Sequence, residues 1–179
     1  MADVATHKKS SLLFVILTVA GASSVSLIGG LGLEAVEEKL LTIIPLIIAL
    51  PALNTMVGDY ATVIAAHAGN PLERNKSFKK LGLAIAKSAV VNIVLMIILG
   101  SSLAIMRDYE FTAVLFLKYV LFISGSISLT VAFMFFSTLA TDRLLRNKKV
   151  NPDDILIPVV TSISDVLMLG LIALSTFFF

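Results

Sequence analysis

Long apolar runs, broken by short polar connectors, set the pattern of this chain. Five runs, at about 11–32, 41–67, 80–106, 111–140 and 155–178, are near or above the ~20 residues that cross ~30 Å of hydrocarbon as a helix. Between them lie the connectors EAVEEK, AGNPLERNKSF, RDYE and TDRLLRNKKVNPDD. The apolar runs are helical in period or continuous. None shows the ~10-residue alternation that a membrane barrel needs. The pattern therefore predicts an all-α integral membrane protein with five transmembrane helices. The first run has features of a signal peptide in HKKSSLLFVILTVAGASS, but it continues through VSLIGGLGL, which favours a spanning helix.

Composition agrees. Of 179 residues, 58% are hydrophobic and 15% charged, against about half and a quarter in soluble domains. With no cysteine, disulfides, thiolate metal sites and cysteine nucleophiles are excluded. His7 and His67 form no zinc-like cluster. No Walker-type glycine loop occurs, which argues against ATP as energy source and against a nucleotide partner. There is neither a Ser-His dyad nor a His-Glu metal motif, so an enzyme is not expected. A net charge of +2 gives no case for nucleic acid. No connector is long enough for a soluble regulatory domain, so residues 1–179 read as a single transmembrane domain with no prosthetic group.

The charges predict an orientation in the cell membrane. Lys8 and Lys9, the second connector (Arg74, Lys76, Lys79, Lys80) and the fourth (Arg143, Arg146, Lys148, Lys149) hold the basic residues, while the first and third connectors hold only Lys39 and Arg107. The positive-inside rule then puts the N-terminus in the cytoplasm and the C-terminus outside. Glu34, Glu37, Glu38, Asp108 and Glu110 make the outer connectors acidic, which concentrates cations at an entrance. The chain has an odd number of spans and no internal repeat. A pathway built from two similar halves therefore needs a second copy, giving a ten-helix homodimer.

Deep within the runs the formal charges are Asp59, Lys87, Lys118 and Asp165. Ionisable residues in a bilayer face the bundle interior or water and are functional candidates. At 1.5 Å per residue, Asp59 and Lys87 both lie on the order of 10 Å from the inner surface and could pair. Lys118 is at a similar depth from the outer surface, where its stem could snorkel. Asp165 sits roughly 15 Å deep, at the midplane, with no lysine placed to neutralise it.

Two stretches concentrate polar chemistry. In PLIIALPALNTMVGDYATVIAAHAGN, Pro51 frees the carbonyl of Ile47, and Asn54 and Gly58 share a face four residues apart. Asp59 adds a carboxylate. These are hard oxygen donors, the kind magnesium, calcium and manganese take. In NPDDILIPVVTSISD, Asp153 and Asp154 suit a helix start, Pro158 is expected in or near the first turn, and Thr161 precedes Asp165 by one turn.

PALNTMVGDYATVIAAH resembles the second-helix signature of the MgtE magnesium-channel family and its solute-carrier relatives, and NPDDILIPVVTSISDVL resembles that family's last helix. The resemblance implies a homodimeric pathway for magnesium or another divalent cation, the transported ion. The second and fifth helices of each subunit would line it at the two-fold axis. It also implies that Asp165 coordinates the ion, with the Thr161 carbonyl one turn earlier and the Gly58–Asp59 pair on the second helix. Asp59 stands where bacterial members usually have Asn, and the large gating domain that precedes their first helix is not expected here. Two Asp165 carboxylates at an axis would repel, and one divalent cation would compensate both. Two readings from other classes remain: a proton-coupled carrier for another substrate, and a non-transporting assembly subunit that packs through GASSVSLIGG and SGSIS.

Overall fold

The computed structural model describes residues 2–69, 78–145 and 152–179. It is all-helical over them: α1 (Ala2–Glu34), a short α2 (Glu37–Leu40), α3 (Ile44–Gly69), α4 (Phe78–Ile105), α5 (Ala113–Leu145) and α6 (Pro152–Ser175). Helices α1, α3, α4, α5 and α6 each contain a stretch long and apolar enough to span a membrane. The protein is a multi-pass membrane protein. The basic residues Arg74, Lys76, Arg146, Lys148 and Lys149, in the second and fourth connectors, lie outside the described residues.

The buried stripes recur at three- and four-residue spacing, which puts each on one helical face. On α3 the stripe is Leu46, Leu53, Val57, Ala61 and Ile64; on α5 it is Tyr119, Ile123, Ile127, Thr130, Met134 and Thr138; on α6 it is Val160, Ser164, Met168 and Ile172. Helices α3 and α5 each pack against both α4 and α6, which makes a four-helix bundle. Outside it, α1 packs along α6 and makes no comparable contact with another spanning helix. No residue in the spanning stretch of α1 is buried. Its Leu13, Ile16, Leu17, Leu27, Ile28 and Leu31 are exposed, as suits a lipid-facing helix.

Small residues and turns fix the register. Tyr119 is fully buried and donates from its hydroxyl to the Met96 carbonyl (3.0 Å). A Cβ at Gly100 would collide with that hydroxyl. Helix α4 ends in a Schellman motif: Tyr109 N–H bonds the Ala104 carbonyl (3.1 Å), Asp108 N–H bonds the Ile105 carbonyl (3.0 Å), and Asp108 takes φ 59°. Asp tolerates this left-handed conformation better than most residues but less well than glycine.

One residue sits differently from its expected place. Helix α6 starts at Pro152, so Pro158 lies inside it rather than near its first turn, and Asp153 and Asp154 fall in the first turn itself. Lys118 reaches toward the end of the bundle, where its Nζ donates to the Phe178 carbonyl at 2.6 Å. A cation there satisfies a free carbonyl just past the α6 C-terminus and complements the helix dipole.

Gly100→Ala is expected to destabilise the detergent-solubilised protein by about 1–3 kcal/mol, the usual cost of overpacking. Asp108→Gly should stabilise it by up to about 1 kcal/mol through relief at the left-handed position. Thermal unfolding midpoints of the two variants, shifted in opposite directions, check both.

Candidate functional site

Helix α6 carries Asp165 fourteen residues into its 24, about 20 Å along the axis, which is mid-bilayer depth. Pro158, about two turns earlier, contributes no amide hydrogen to the helix. Ser162 Oγ donates to the Pro158 carbonyl at 2.7 Å. Thr161 and Asp165 are four residues apart, share a face, and are both half-buried. The partner of Asp165 comes from α1: Ser26 Oγ donates to Asp165 Oδ2 at 3.3 Å. Ser26 is a site residue that sequence patterns did not single out, since a serine in an apolar run carries no signal until its neighbour is known.

Helix α3 packs against α6, which brings together the two segments with polar signatures. Pro51 is inside α3. Thr55 Oγ1 donates to the Pro51 carbonyl (3.0 Å), and Thr62 Oγ1 donates to the Gly58 carbonyl (2.9 Å). Away from the buried stripe, α3 exposes Pro51, Ala52, Asn54, Thr55, Asp59, Thr62 and Val63. The outward face of α4 is more apolar, with Leu83, Val90, Val91, Val94, Leu95, Ile98 and Leu99 exposed around a single charge, Lys87. Leucines and valines suit lipid; an amide, hydroxyls and a carboxylate at membrane depth do not. Gly58 is half-buried, and a Cβ built there would meet nothing within 4 Å.

Asn54 and Gly58 share a face, whereas Asp59, one residue on, lies about 100° further round the helix. Asp59 lines a cavity of about 730 Å³ between α3 and α4, together with Thr55, Tyr60, Ser88 and Asn92. Within it Asn92 Nδ2 donates to the Tyr60 hydroxyl (2.8 Å), which donates to Ser88 Oγ (3.0 Å). Asp59 and Lys87 do not pair: Lys87 is exposed on α4 and is absent from the cavity lining. Among the described residues no three His, Asp or Glu side chains gather into a metal cluster. One protomer thus offers separate oxygen donors on two adjacent helices. An ion held by them would keep part of its water shell, as magnesium commonly does.

Tyr60→Phe removes the hydroxyl that links Asn92 to Ser88. It is expected to lower stability by about 1 kcal/mol, the scale of a helix-to-helix hydrogen bond in a membrane, in a chemical or thermal unfolding series in detergent. Asn92→Leu should cost a similar amount, and the double variant less than the sum of the two.

The sequence matches the family model MgtE, described as a divalent cation transporter, over residues 50–175. That stretch begins in α3 and runs through α4, α5 and α6. No curated protein and no solved structure gives a significant match.

Proposed function

The chain belongs to the MgtE family of divalent cation transporters, and from that premise we propose that it carries magnesium across the cell membrane through a pathway formed by α3 and α6. The observation that carries this reading is the polar face that α3 turns outward at membrane depth, beside the α6 helix that bears Asp165. A face that lipid cannot satisfy needs water, an ion or protein against it. A second copy related by a two-fold axis, which makes a ten-helix homodimer, supplies both a wall and the other half of a water-filled path.

In this reading Asp165 meets the ion at mid-depth, with the Thr161 carbonyl one turn before it. Asn54 and Gly58 line the path from α3, the glycine leaving room for a hydrated ion or a partner helix. Asp59 lies to one side, in the α3–α4 cavity, where its charge draws cations toward the path. Two Asp165 carboxylates, one from each copy, repel when the site is empty, and a single divalent ion compensates both. The N-terminus lies in the cytoplasm and the acidic first connector outside. Glu34, Glu37 and Glu38, against one cation, Lys39, line a cavity of about 580 Å³ there, a net-acidic vestibule that enriches cations. Magnesium is preferred over softer ions because every donor is oxygen. The cation is cargo, and the protein uses no prosthetic group and no nucleotide.

The test is magnesium influx into proteoliposomes of purified protein at matched incorporation. Asp165→Asn should reduce influx by roughly tenfold or more, the scale of a lost ligand interaction, without loss of helical content. Unchanged influx would remove Asp165 from the pathway. Gly58→Leu should leave the protomer's unfolding midpoint within about 0.5 kcal/mol of wild type, since the site is open. It should nonetheless block influx or dimerisation, read by flux and by size-exclusion mass measurement.

A further inference from the structure

We infer that Ser26 of α1 is a positioning residue of the cation site, which holds one oxygen of the Asp165 carboxylate and leaves the other for the ion. The inference rests on the reading that Asp165 meets the transported cation. It extends the site to a helix that the family match, beginning at residue 50, does not include.

The serines of α1 behave differently from one another. Ser24 Oγ donates to the Ala20 carbonyl one turn back at 2.9 Å, the usual local bond for a serine inside a helix. Ser26 instead reaches across to Asp165 Oδ2 at 3.3 Å, over a separation of 139 residues. Ser24 is exposed and Ser26 half-buried, so Ser26 lies on the side of α1 that meets α6. The approach of the two helices is set close by. Gly29 is three residues on from Ser26 and on the same side of the helix. A Cβ there would lie 3.0 Å from Leu169 Cδ1 and 3.3 Å from Val166 Cα. Val166 adjoins Asp165, and its Cα is backbone that cannot rotate away. Gly29 is therefore what lets α1 come near enough for the serine hydroxyl to reach the carboxylate.

The placement has a chemical consequence. A hydroxyl that donates to one carboxylate oxygen restricts rotation of the side chain and leaves Oδ1 free. When the cation leaves, the carboxylate keeps a donor in surroundings with no other described partner for it. At 3.3 Å the bond is longer than a strong hydroxyl-to-carboxylate bond, so it acts by orienting the side chain, and groups that orient a ligand typically change metal affinity by 10–100-fold. Because α1 packs along α6 and little else, it can be displaced without disturbing the four-helix bundle. The contact can therefore be tested apart from the fold.

The experiment measures magnesium influx into proteoliposomes across a concentration series for the full chain and four variants, with thermal unfolding of each in detergent. Ser26→Ala is expected to raise the half-saturating magnesium concentration about tenfold while maximal influx and the unfolding midpoint stay near wild type. Ser26→Thr, which keeps a hydroxyl, should restore the wild-type concentration. Gly29→Val, which pushes α1 away while retaining Ser26, should reproduce the Ser26→Ala shift. A half-saturating concentration unchanged by Ser26→Ala overturns the inference. So does a threonine variant no better than alanine, or a loss that appears only as lowered thermal stability. Asp165→Asn separates the two ideas. If it leaves influx intact, the ion-site reading itself fails; if it abolishes influx while Ser26→Ala is silent, only the role of Ser26 falls.

Discussion

Hydrocarbon offers no hydrogen bonds, and that constraint orders most of what is specific in this structure. Each polar atom within the spans has to find its partner in protein, water or an ion. Most of those described find it in protein. Thr55 and Ser162 bond the carbonyls of Pro51 and Pro158, Tyr119 bonds Met96, Lys118 bonds the chain just beyond α6, and Tyr60 joins Ser88 to Asn92. These contacts tie α3 to α4, α4 to α5 and α5 to the end of α6. The polar residues thus serve as the joints of a bundle whose apolar packing alone would be weakly discriminated from lipid.

The groups that stay outside this network have a different meaning. Asn54 and Asp59 are exposed on α3, and among the described residues Asp165 holds the single bond from Ser26. They lie on α3 and α6, which pack against each other and fall almost wholly within the family match. Thr130, Thr138 and Ser164 are buried hydroxyls with no partner among the described residues, on the stripes where α5 and α6 face the bundle interior. A protein that moves a hydrated cation needs unspent oxygen donors at mid-depth. A protein that merely packs would satisfy them or replace them with leucine, as the outward face of α4 does from Leu83 to Leu99, Lys87 and its neighbouring small residues apart.

Helix α1 stands apart from this division. Its lipid-facing side is plain hydrocarbon, yet its inner side meets α6 at the position of the deepest carboxylate. The close approach at Gly29 and the bond from Ser26 are two parts of one contact. An apparently peripheral helix is thereby joined to the centre of the molecule.

The five spans, their helical character and the family resemblance were legible in the sequence, because in a bilayer the backbone must satisfy itself and only a long apolar helix does so within one segment. Asp165 stood out for the same reason, a charge where charge is costly. What tertiary structure alone decided is who stands beside whom. Asp59 and Lys87 matched in depth but not in direction, since one residue turns a helix by about 100° and depth says nothing of azimuth. Lys118 meets a carbonyl, that of Phe178, which the antiparallel return of α6 brings near it. Ser26 gave no sign of its role, because a serine in an apolar run is ordinary until another helix, 139 residues away, puts a carboxylate against it.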